Sequence, residues 1–386
     1  MNLTALILTL AIISGQLIKI PLSGNSGITI LDIVVGFLCL VGIFNLKFRL
    51  TKPPLFIVGA IVFISTATLS LIFTPLNLQL SEYLTGFLYT ARFIAYVLFG
   101  WIVLSGAFPK FRERIPQILV FSGLGLAVIG LLQFIFLPDL GFLTAEGWDP
   151  HYYRTVSTFL DPNFAGGFLV LTLLLLSSFR LEGLARPSKV FYLIFTLVYL
   201  ALLTTFSRSS YLMFLVSGLT FSFLKKSRTL TLTTILLFAL LLASFQIYTN
   251  LVAKPHSIDR TRSASFRIST WQQGFTLFRK SPVLGIGYNA YRYGLKEHSL
   301  ADEQFLGSHG SSGNDSSLLS VAATTGIVGL IAYFYFLLTL VRFSFKKNLI
   351  LISGLMGLII HSFFANSLFY PPILAWILLI SITPKK

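Results

Sequence analysis

Arginines inside or beside long apolar runs are the residues of this sequence best suited to bind an anion. Arg92 lies in the middle of such a run, between Tyr89 and Tyr96, where a cation is costly unless it is paired or faces water. A second set flanks other runs: Arg154, Arg208, Arg260, Arg262 and Arg267. Guanidinium groups match phosphate oxygens bidentately, so several arginines at one membrane surface indicate an anionic, lipid-linked ligand. The alternatives are a packing role for Arg92 and contact with ordinary lipid headgroups for the others.

Histidines and carboxylates show no pattern typical of metal chemistry. None of the five histidines has the spacing of a metal-binding motif. The Gly- and Ser-rich stretch 307–315, which contains His309, carries no phosphate-loop lysine. At its end Asp315 is well placed to cap the next helix. We therefore expect no metal and no cofactor.

The composition is that of a membrane protein. Of 386 residues, 55% are hydrophobic and 11% charged, with a mean hydropathy of +0.83, which excludes a soluble enzyme. Apolar runs long enough to approach a bilayer span recur along the chain, at 3–20, 28–44, 55–73, 83–104, 118–137, 164–178, 190–205, 210–224, 230–248, 317–340, 349–364 and 371–383. The predicted fold is an all-α polytopic membrane protein with about twelve transmembrane helices.

The net charge of +16 is explained by topology. Most of the basic residues lie in the segments that follow every second apolar run, and these segments contain only two acidic residues, Glu113 and Glu182. The positive-inside rule then places both termini in the cytoplasm. The charge gives no reason to expect a nucleic-acid partner.

Two segments on the opposite side are longer than connectors need to be, 138–163 and 251–314. Long loops on compact scaffolds are usually functional, so the extracytoplasmic face is the predicted active side. We expect one integrated membrane domain, with helices 1–9 in residues 1–250, a large outer loop over 251–314, and helices 10–12 in 315–386.

The large outer loop is expected to contain short amphipathic helices. Phe266, Trp271, Phe275 and Phe278 recur at spacings compatible with one helical face. Such a helix would lie on the membrane surface. Pro282 is expected to end it before a glycine turn.

Several short motifs, in order along the outer segments, resemble those of the O-antigen ligase and O-antigen polymerase family of integral-membrane glycosyltransferases. That family carries an Arg followed by a Pro-Asn pair, a Ser-Arg pair at a short outer turn, and an Arg-x-x-x-Trp segment leading to Pro-x-x-Gly-x-Gly. The matching residues are Arg154, Pro162, Asn163, Ser207, Arg208, Arg267, Trp271, Pro282, Gly285 and Gly287. Each motif alone is weak, but their order and common placement are specific.

The sequence departs from the family at the next motif, typically His-Asn-x-x-Leu followed by Glu-x-Gly-x-x-Gly. Counting back from Gly326 and Gly329 places Asp315 at the histidine position and Thr324 at the glutamate position. Three alternatives remain open. Asp315 takes the role of the histidine, His309 does so from six residues earlier, or this member uses different chemistry.

The resemblance implies transfer of an oligosaccharide from undecaprenyl diphosphate to an acceptor hydroxyl on the outer face of the cytoplasmic membrane, without a metal. Arg267 and Arg208 are expected to bind the diphosphate, with Arg154, Arg92 and Arg262 in support. Asp315 is the predicted base and His309 the second choice. The residues expected to line the substrate cavity are Asn163, Trp271 and Tyr288. Trp148, Tyr152, Tyr153 and Tyr288 are further candidates to stack on sugar rings.

The implied partners are the lipid-linked donor, membrane lipids and a glycan, lipid-core or protein acceptor. The residues alone do not distinguish a ligase from a polymerase. A flippase for lipid-linked oligosaccharides would also gather arginines, although its long loops would not be confined to one side. A catalytically inactive scaffold is a third alternative, because the family histidine is missing.

Overall fold

The structure is a computed structural model, and it describes residues 3–21, 27–47, 49–108, 110–181, 188–253, 262–344 and 348–384. Within these residues the fold is mostly helical, with loops and short 3-10 turns between the helices. The sheet found there has two antiparallel strands, in which β1 (Lys19–Pro21) pairs with β2 (Gly27–Thr29).

Apolar helices occupy all of the predicted runs. Along the chain they are α1 (Leu3–Ser14), α2 (Ile30–Asn45), α3 (Leu55–Ile72), α4 (Leu80–Leu104), α5 (Phe111–Phe136), α6 (Pro162–Leu181), α7 (Lys189–Thr204), α8 (Arg208–Leu224) and α9 (Arg228–Tyr248), then α13 (Ser317–Ser344), α14 (Leu349–His361) and α15 (Pro371–Ser381). Between α9 and α13 lie α10 (Arg262–Lys280), α11 (Tyr291–Glu297) and α12 (Glu303–Leu306).

Six helical stretches of the described chain are long and apolar enough to cross a membrane, those of α3, α4, α5, α6, α9 and α13. Several others, such as α1 and α14, are shorter apolar helices. A helical membrane protein is thus confirmed, whereas twelve spans stay a prediction. The first helix is shorter than predicted. It ends at Ser14 because Gly15 adopts φ +55°, packed against the backbone of Thr158.

The helices pack through close approaches and buried aromatic side chains. In the pair formed by α13 and α3, a Cβ on Gly59 would collide with Thr339. Phe63 of α3 lies edge-on to Phe93 and Tyr333 at ring-centroid distances of 5.3 and 5.0 Å. By contrast, many leucines and isoleucines of α9 are exposed, as expected for a helix that faces lipid.

A loop carrying the Pro-x-x-Gly-x-Gly motif docks into a break in α13. At Gly326 the backbone takes φ 65° and ψ −169°, a conformation essentially restricted to glycine. Backbone groups of the loop form hydrogen bonds with the backbone groups that the break in α13 leaves without helical partners. Ile327 N–H donates to the Pro282 carbonyl at 2.9 Å, and Gly287 N–H donates to the Thr324 carbonyl at 3.0 Å. These hydrogen bonds fix the segment between α10 and α11 to the apolar helices.

Helix α10 contains the predicted amphipathic segment and has two distinct sides. Thr270, Gly274 and Leu277 are buried, and a Cβ on Gly274 would meet Asn314 and Leu319. Phe266 and Phe275 are about half exposed, at 48% and 47%. Exposed aromatic rings on a helix that packs by its other side are consistent with the predicted position at a membrane surface.

Candidate active site

One cavity of about 380 Å³ brings together most of the residues that the sequence analysis selected. Among its lining residues are Arg92, Arg154, Asn163, Arg208, Arg267, Tyr288, His309 and Asp315. Residues far apart in sequence therefore form one site. Of the remaining candidates, Arg260 and the side chain of Arg262 lie outside the described part of the chain.

Trp271 lies behind the cavity wall. Its indole Nε1–H donates to the Phe363 carbonyl at 3.1 Å, and its ring packs against Phe364 at a centroid distance of 6.1 Å. Phe364 lines the cavity, and Trp271 does not. The structure therefore places Trp271 as a support for the wall rather than in it.

Two arginines from different helices converge on one end of the site. Arg208 begins α8, and Arg267 lies in the second turn of α10. Each lies over a phenylalanine ring, Arg208 at 5.7 Å from the Phe245 centroid and Arg267 at 6.0 Å from that of Phe364. The two positive charges are close enough to repel each other. Within the described residues neither has a carboxylate at ion-pair distance, so an anion bound here would relieve the repulsion.

Asn163 lies beside this arginine pair, at the start of α6. Its side-chain Oδ1 accepts hydrogen bonds from the hydroxyls of Ser207 at 2.8 Å and Ser209 at 3.2 Å. Ser207 also caps α8 by accepting from the Ser210 N–H at 3.3 Å. The predicted Pro-Asn and Ser-Arg motifs are thus one hydrogen-bonded unit at the cavity wall.

Arg154 is buried, with 8% of its surface exposed, and it holds the turn between α7 and α8. Its Nε donates to the Thr205 carbonyl at 2.9 Å and its Nη2 to the Phe206 carbonyl at 3.4 Å. These bonds fix the backbone immediately before Arg208. A positioning role is therefore visible for Arg154, and a direct role at a diphosphate stays a prediction.

Arg92 is neutralised inside the protein. Its Nη2 lies 2.8 Å from Asp32 Oδ2 and donates to the Gly27 carbonyl at 2.7 Å. The guanidinium also stacks over Tyr89, at 4.6 Å from the ring centroid. Asp32 itself belongs to the capping box with Thr29 that starts α2. The ion pair explains how a cation is tolerated in an apolar helix, and it reduces the charge that Arg92 can offer a ligand.

Asp315 faces the cavity next to the arginine pair. Its Oδ2 accepts a hydrogen bond from the Thr270 hydroxyl at 3.2 Å, and Arg267 acts on it electrostatically. The capping interpretation of Asp315 is wrong, because the Ser316 hydroxyl accepts from the Leu319 N–H at 3.3 Å and caps α13 instead. The carboxylate therefore does not cap the helix and borders the cavity.

The loop that holds Asp315 is anchored by the residue before it. Asn314 is buried, and its side-chain Nδ2 lies 2.8 Å from the Tyr291 hydroxyl and 2.5 Å from the Thr270 carbonyl. Its Oδ1 accepts from the Ser316 N–H at 2.9 Å. These bonds tie the carboxylate to both α10 and α11.

Asp149 is a cavity residue that the sequence analysis missed. Burial by surrounding protein and, to a smaller extent, the nearby carboxylates of Asp161 and Asp315 raise the pKa of its carboxyl to about 6, against the opposing charge of Arg154. The side chain is exposed on the cavity wall, and the protein packed around the cavity is what disfavours its ionised form. In the sequence, only its position in the long outer segment 138–163 indicated that Asp149 could belong to a site.

Asp161 has a structural task. Its Oδ1 accepts from the backbone N–H groups of Asn163 and Phe164 at 2.6 and 3.0 Å and so caps the start of α6. Among the described residues no group of three or more His, Cys, Asp or Glu is arranged to hold a metal ion.

His309 stacks on Trp148, with ring centroids 4.1 Å apart and an interplanar angle of 31°. Its backbone N–H donates to the Gly147 carbonyl at 3.0 Å. Lys19 and Arg292 act on the imidazole electrostatically, so a proton taken up there would meet two cations. The stacking also covers one face of Trp148, which leaves that face unavailable to a sugar ring.

Two of the other three aromatic candidates, Tyr152 and Tyr153, also have protein partners. Tyr152 lies edge-on to Tyr153 at a centroid distance of 4.8 Å, and the Tyr152 carbonyl accepts a hydrogen bond from the Tyr248 hydroxyl. Neither Tyr152 nor Tyr153 lines the cavity, whereas Tyr288 does.

Residues 191–334, from α7 into α13, match a family model described as O-antigen ligase. The predicted resemblance to the O-antigen ligase family is confirmed. This stretch contains Arg208, Arg267 and Asp315, so the arginine pair and the carboxylate belong to the part that carries the family pattern. No curated protein matches the chain. The O-antigen ligase match, together with the apolar helices, supports a ligase-like role in polysaccharide biosynthesis at a membrane.

Proposed function

We propose that the protein transfers an oligosaccharide from undecaprenyl diphosphate to an acceptor hydroxyl, on the outer face of the cytoplasmic membrane. The observation that carries the proposal is the convergence of Arg208, Arg267 and Asp315 on one cavity, within the stretch that matches the O-antigen ligase family. Both termini would be cytoplasmic, and the lipid-linked donor would enter from the bilayer.

The arginine pair has the chemistry that the leaving group needs. In the reaction a bond forms between the acceptor oxygen and the anomeric carbon, and the bond from that carbon to the diphosphate oxygen breaks. Negative charge then accumulates on the departing lipid diphosphate. Two guanidinium groups without a carboxylate partner at ion-pair distance would stabilise this charge, so the proposed reaction needs no metal ion.

Asp315 is the proposed base. As the acceptor oxygen attacks, its proton would pass to the Asp315 carboxylate, which the Thr270 hydroxyl orients. His309 is less suitable because protonation would place a third positive charge near Lys19 and Arg292. Asp149 and Asp161 also border the cavity. Because Asp161 caps α6, Asp149 is the base to test next.

The test uses the full chain in lipid nanodiscs, with an undecaprenyl-diphosphate oligosaccharide, candidate lipid-core, glycan and protein acceptors, and EDTA. Wild type is expected to form product, and Arg267→Ala, Arg208→Ala and Asp315→Ala are expected to abolish it. Arg279→Ala is the matched control, because Arg279 lies on the same helix as Arg267 but stacks on Phe275 away from the cavity lining.

The same preparation distinguishes a transferase from a flippase. In proteoliposomes the proposed enzyme forms product without moving the donor between leaflets. If no acceptor yields product and the donor is moved instead, the transferase proposal is wrong. Loss of product in Arg279→Ala as well would show that substitutions in α10 act through folding.

A further inference from the structure

A histidine that the proposed reaction does not use lies directly beneath the Asn163 unit. His361 ends α14 and is fully buried. Its ring Nε2 lies 3.4 Å from the Ser210 hydroxyl, and its Nδ1 has no hydrogen-bond partner among the described residues. A buried imidazole next to a cavity proposed to bind an anion requires an explanation.

The hydroxyl of Ser210 determines the direction of the hydrogen bond to His361. The single proton of Ser210 Oγ can go to Ser207 Oγ at 2.9 Å or to the Asn163 carbonyl at 3.2 Å. Both acceptors lie closer to Ser210 Oγ than His361 Nε2 does at 3.4 Å. The shorter contacts favour a hydroxyl proton that points away from the ring, with His361 Nε2–H as the donor to Ser210 Oγ. The neutral tautomer with its proton on Nε2 also leaves a lone pair, rather than an N–H group, at the unpartnered Nδ1.

The hydrogen bonds of Ser207 can be assigned in the same way, and they lead to Asn163. Ser207 Oγ accepts from the Ser210 hydroxyl at 2.9 Å and from the Ser210 backbone N–H at 3.3 Å. Both of its lone pairs are then used, so its own proton is left to donate. Its acceptors are Asn163 Oδ1 at 2.8 Å and the Ser209 hydroxyl at 3.1 Å, and the shorter contact favours the amide oxygen. The chain of donors therefore runs in one direction, from His361 through Ser210 and Ser207 to the amide oxygen.

With its oxygen held by two hydroxyls, the Asn163 amide has its NH₂ group left to donate. Within the described chain that group has no hydrogen-bond partner, and Asn163 lines the cavity beside Arg208. We infer that His361 is a positioning residue that keeps the Asn163 NH₂ group directed at the diphosphate oxygens. The inference rests on the proposed function, because it takes the lipid diphosphate as the ligand.

Without the His361 donor the Ser210 hydroxyl would no longer have a fixed direction. Ser207 could then point back at Ser210 and accept from the amide, and the Asn163 amide could turn its oxygen toward the anion. An amide oxygen facing a diphosphate repels it, whereas an N–H donor binds it with a charge-assisted hydrogen bond. Such a bond is worth roughly a tenfold change in affinity or more.

The test measures the affinity of undecaprenyl diphosphate for the full chain in nanodiscs, together with the midpoint of thermal unfolding. His361→Leu removes the donor and is expected to weaken binding about tenfold, whereas His361→Gln, which can place an N–H near the Nε2 position, should retain most of it. In an Asn163→Ala background, His361→Leu should cause no further loss. That coupling is the signature that a purely structural role would not give.

Ser210→Ala and Ser217→Ala form the matched control pair. Both serines are buried on α8 and face α14, but Ser217 lies next to Gly357 and its hydroxyl has no partner in the described structure. Ser210→Ala should weaken binding as His361→Leu does, and Ser217→Ala should not. This pair also serves as the test if the His361 variants fail to fold.

Two results would overturn the inference, and they have different meanings. Equal losses from His361→Leu with and without Asn163 would show that the histidine acts through packing alone. Wild type that does not bind undecaprenyl diphosphate would refute the proposed donor, and the inference with it.

Discussion

The Asp315 carboxylate accepts a hydrogen bond from Thr270 at 3.2 Å, although it stands only one residue before the cap of α13. The cap is the Ser316 hydroxyl, which accepts from the Leu319 N–H. Ser316 therefore starts the helix, and the adjacent Asp315 faces the cavity. Mutations of the two residues can test these roles separately.

Asp315→Asn is expected to lower turnover by roughly 10²- to 10⁴-fold, the usual range for loss of a general base. The free energy of unfolding should change by no more than about 0.5 kcal/mol, because the carboxylate does not cap the helix. Ser316→Ala should do the opposite, with about 1 kcal/mol of stability lost and turnover kept. Initial rates and unfolding in one detergent measure both quantities. Similar turnover loss in the two variants would mean that Asp315 acts only through the start of α13.

Asp149 is expected to make donor binding pH-dependent. Its pKa is raised to about 6, first by burial and then by Asp161 and Asp315. Above that pH the ionised carboxylate adds negative charge to a cavity proposed to bind a diphosphate, so donor affinity should be several-fold higher at pH 5 than at pH 7.5. Asp149→Asn should flatten the profile. Titrations of donor binding at several pH values give the comparison, and an unchanged profile in the variant would refute the assignment.

The same carboxyl links stability to pH with a defined sign. The folded protein holds the Asp149 proton more tightly than the unfolded chain does, because its pKa is raised. Its contribution to stability therefore falls as pH rises from the ordinary aspartate range to about 6, and it stays lower above that pH. In unfolding experiments Asp149→Asn should gain stability relative to wild type between these limits.

Gly326→Ala is expected to destabilise the fold by about 2–4 kcal/mol. The backbone at this position has φ 65°, and a new Cβ would collide with the Val283 carbonyl of the docked loop. Gly36→Ala is the matched control, because Gly36 lies inside α2 and no atom lies within 4 Å of the place that a new methyl group would occupy. Alanine there should be neutral or stabilising. Unfolding midpoints in detergent give the difference. Equal midpoints would show that the break in α13 is not needed.

Apolar runs predicted the positions of the helices because a helix buried in lipid or protein needs a long, nearly uninterrupted apolar stretch. The docking of the 282–287 loop into α13 left almost no signal in the sequence, because it depends on one glycine conformation and on backbone hydrogen bonds between distant residues. The ends of helices were also uncertain, as the early end of α1 at Ser14 illustrates.

Within the site, Arg208 and Arg267 were predictable because a short turn and a family motif mark them. Asp149 was not, because an aspartate in a loop looks like any solvated residue until tertiary structure surrounds it. The neutralisation of Arg92 by Asp32 was likewise hidden, since 60 residues separate the two side chains.

Arg92 and Asp32 give the last prediction, which tests whether Arg92 contributes to structure or to donor binding. Their side chains are only 16% and 9% exposed, so removing one partner leaves an uncompensated buried charge. Arg92→Met and Asp32→Asn should each cost about 3–5 kcal/mol, and the double variant less than their sum.

Donor binding should depend strongly on Arg208 and only weakly on Arg92. Because Asp32 already neutralises Arg92, the folded fraction of Arg92→Met should bind undecaprenyl diphosphate within a few-fold of wild type. Arg208→Met should bind at least about tenfold more weakly, since Arg208 has no carboxylate at ion-pair distance among the described residues. Equal losses of affinity in the two variants would mean that Arg92 contacts the donor despite its ion pair.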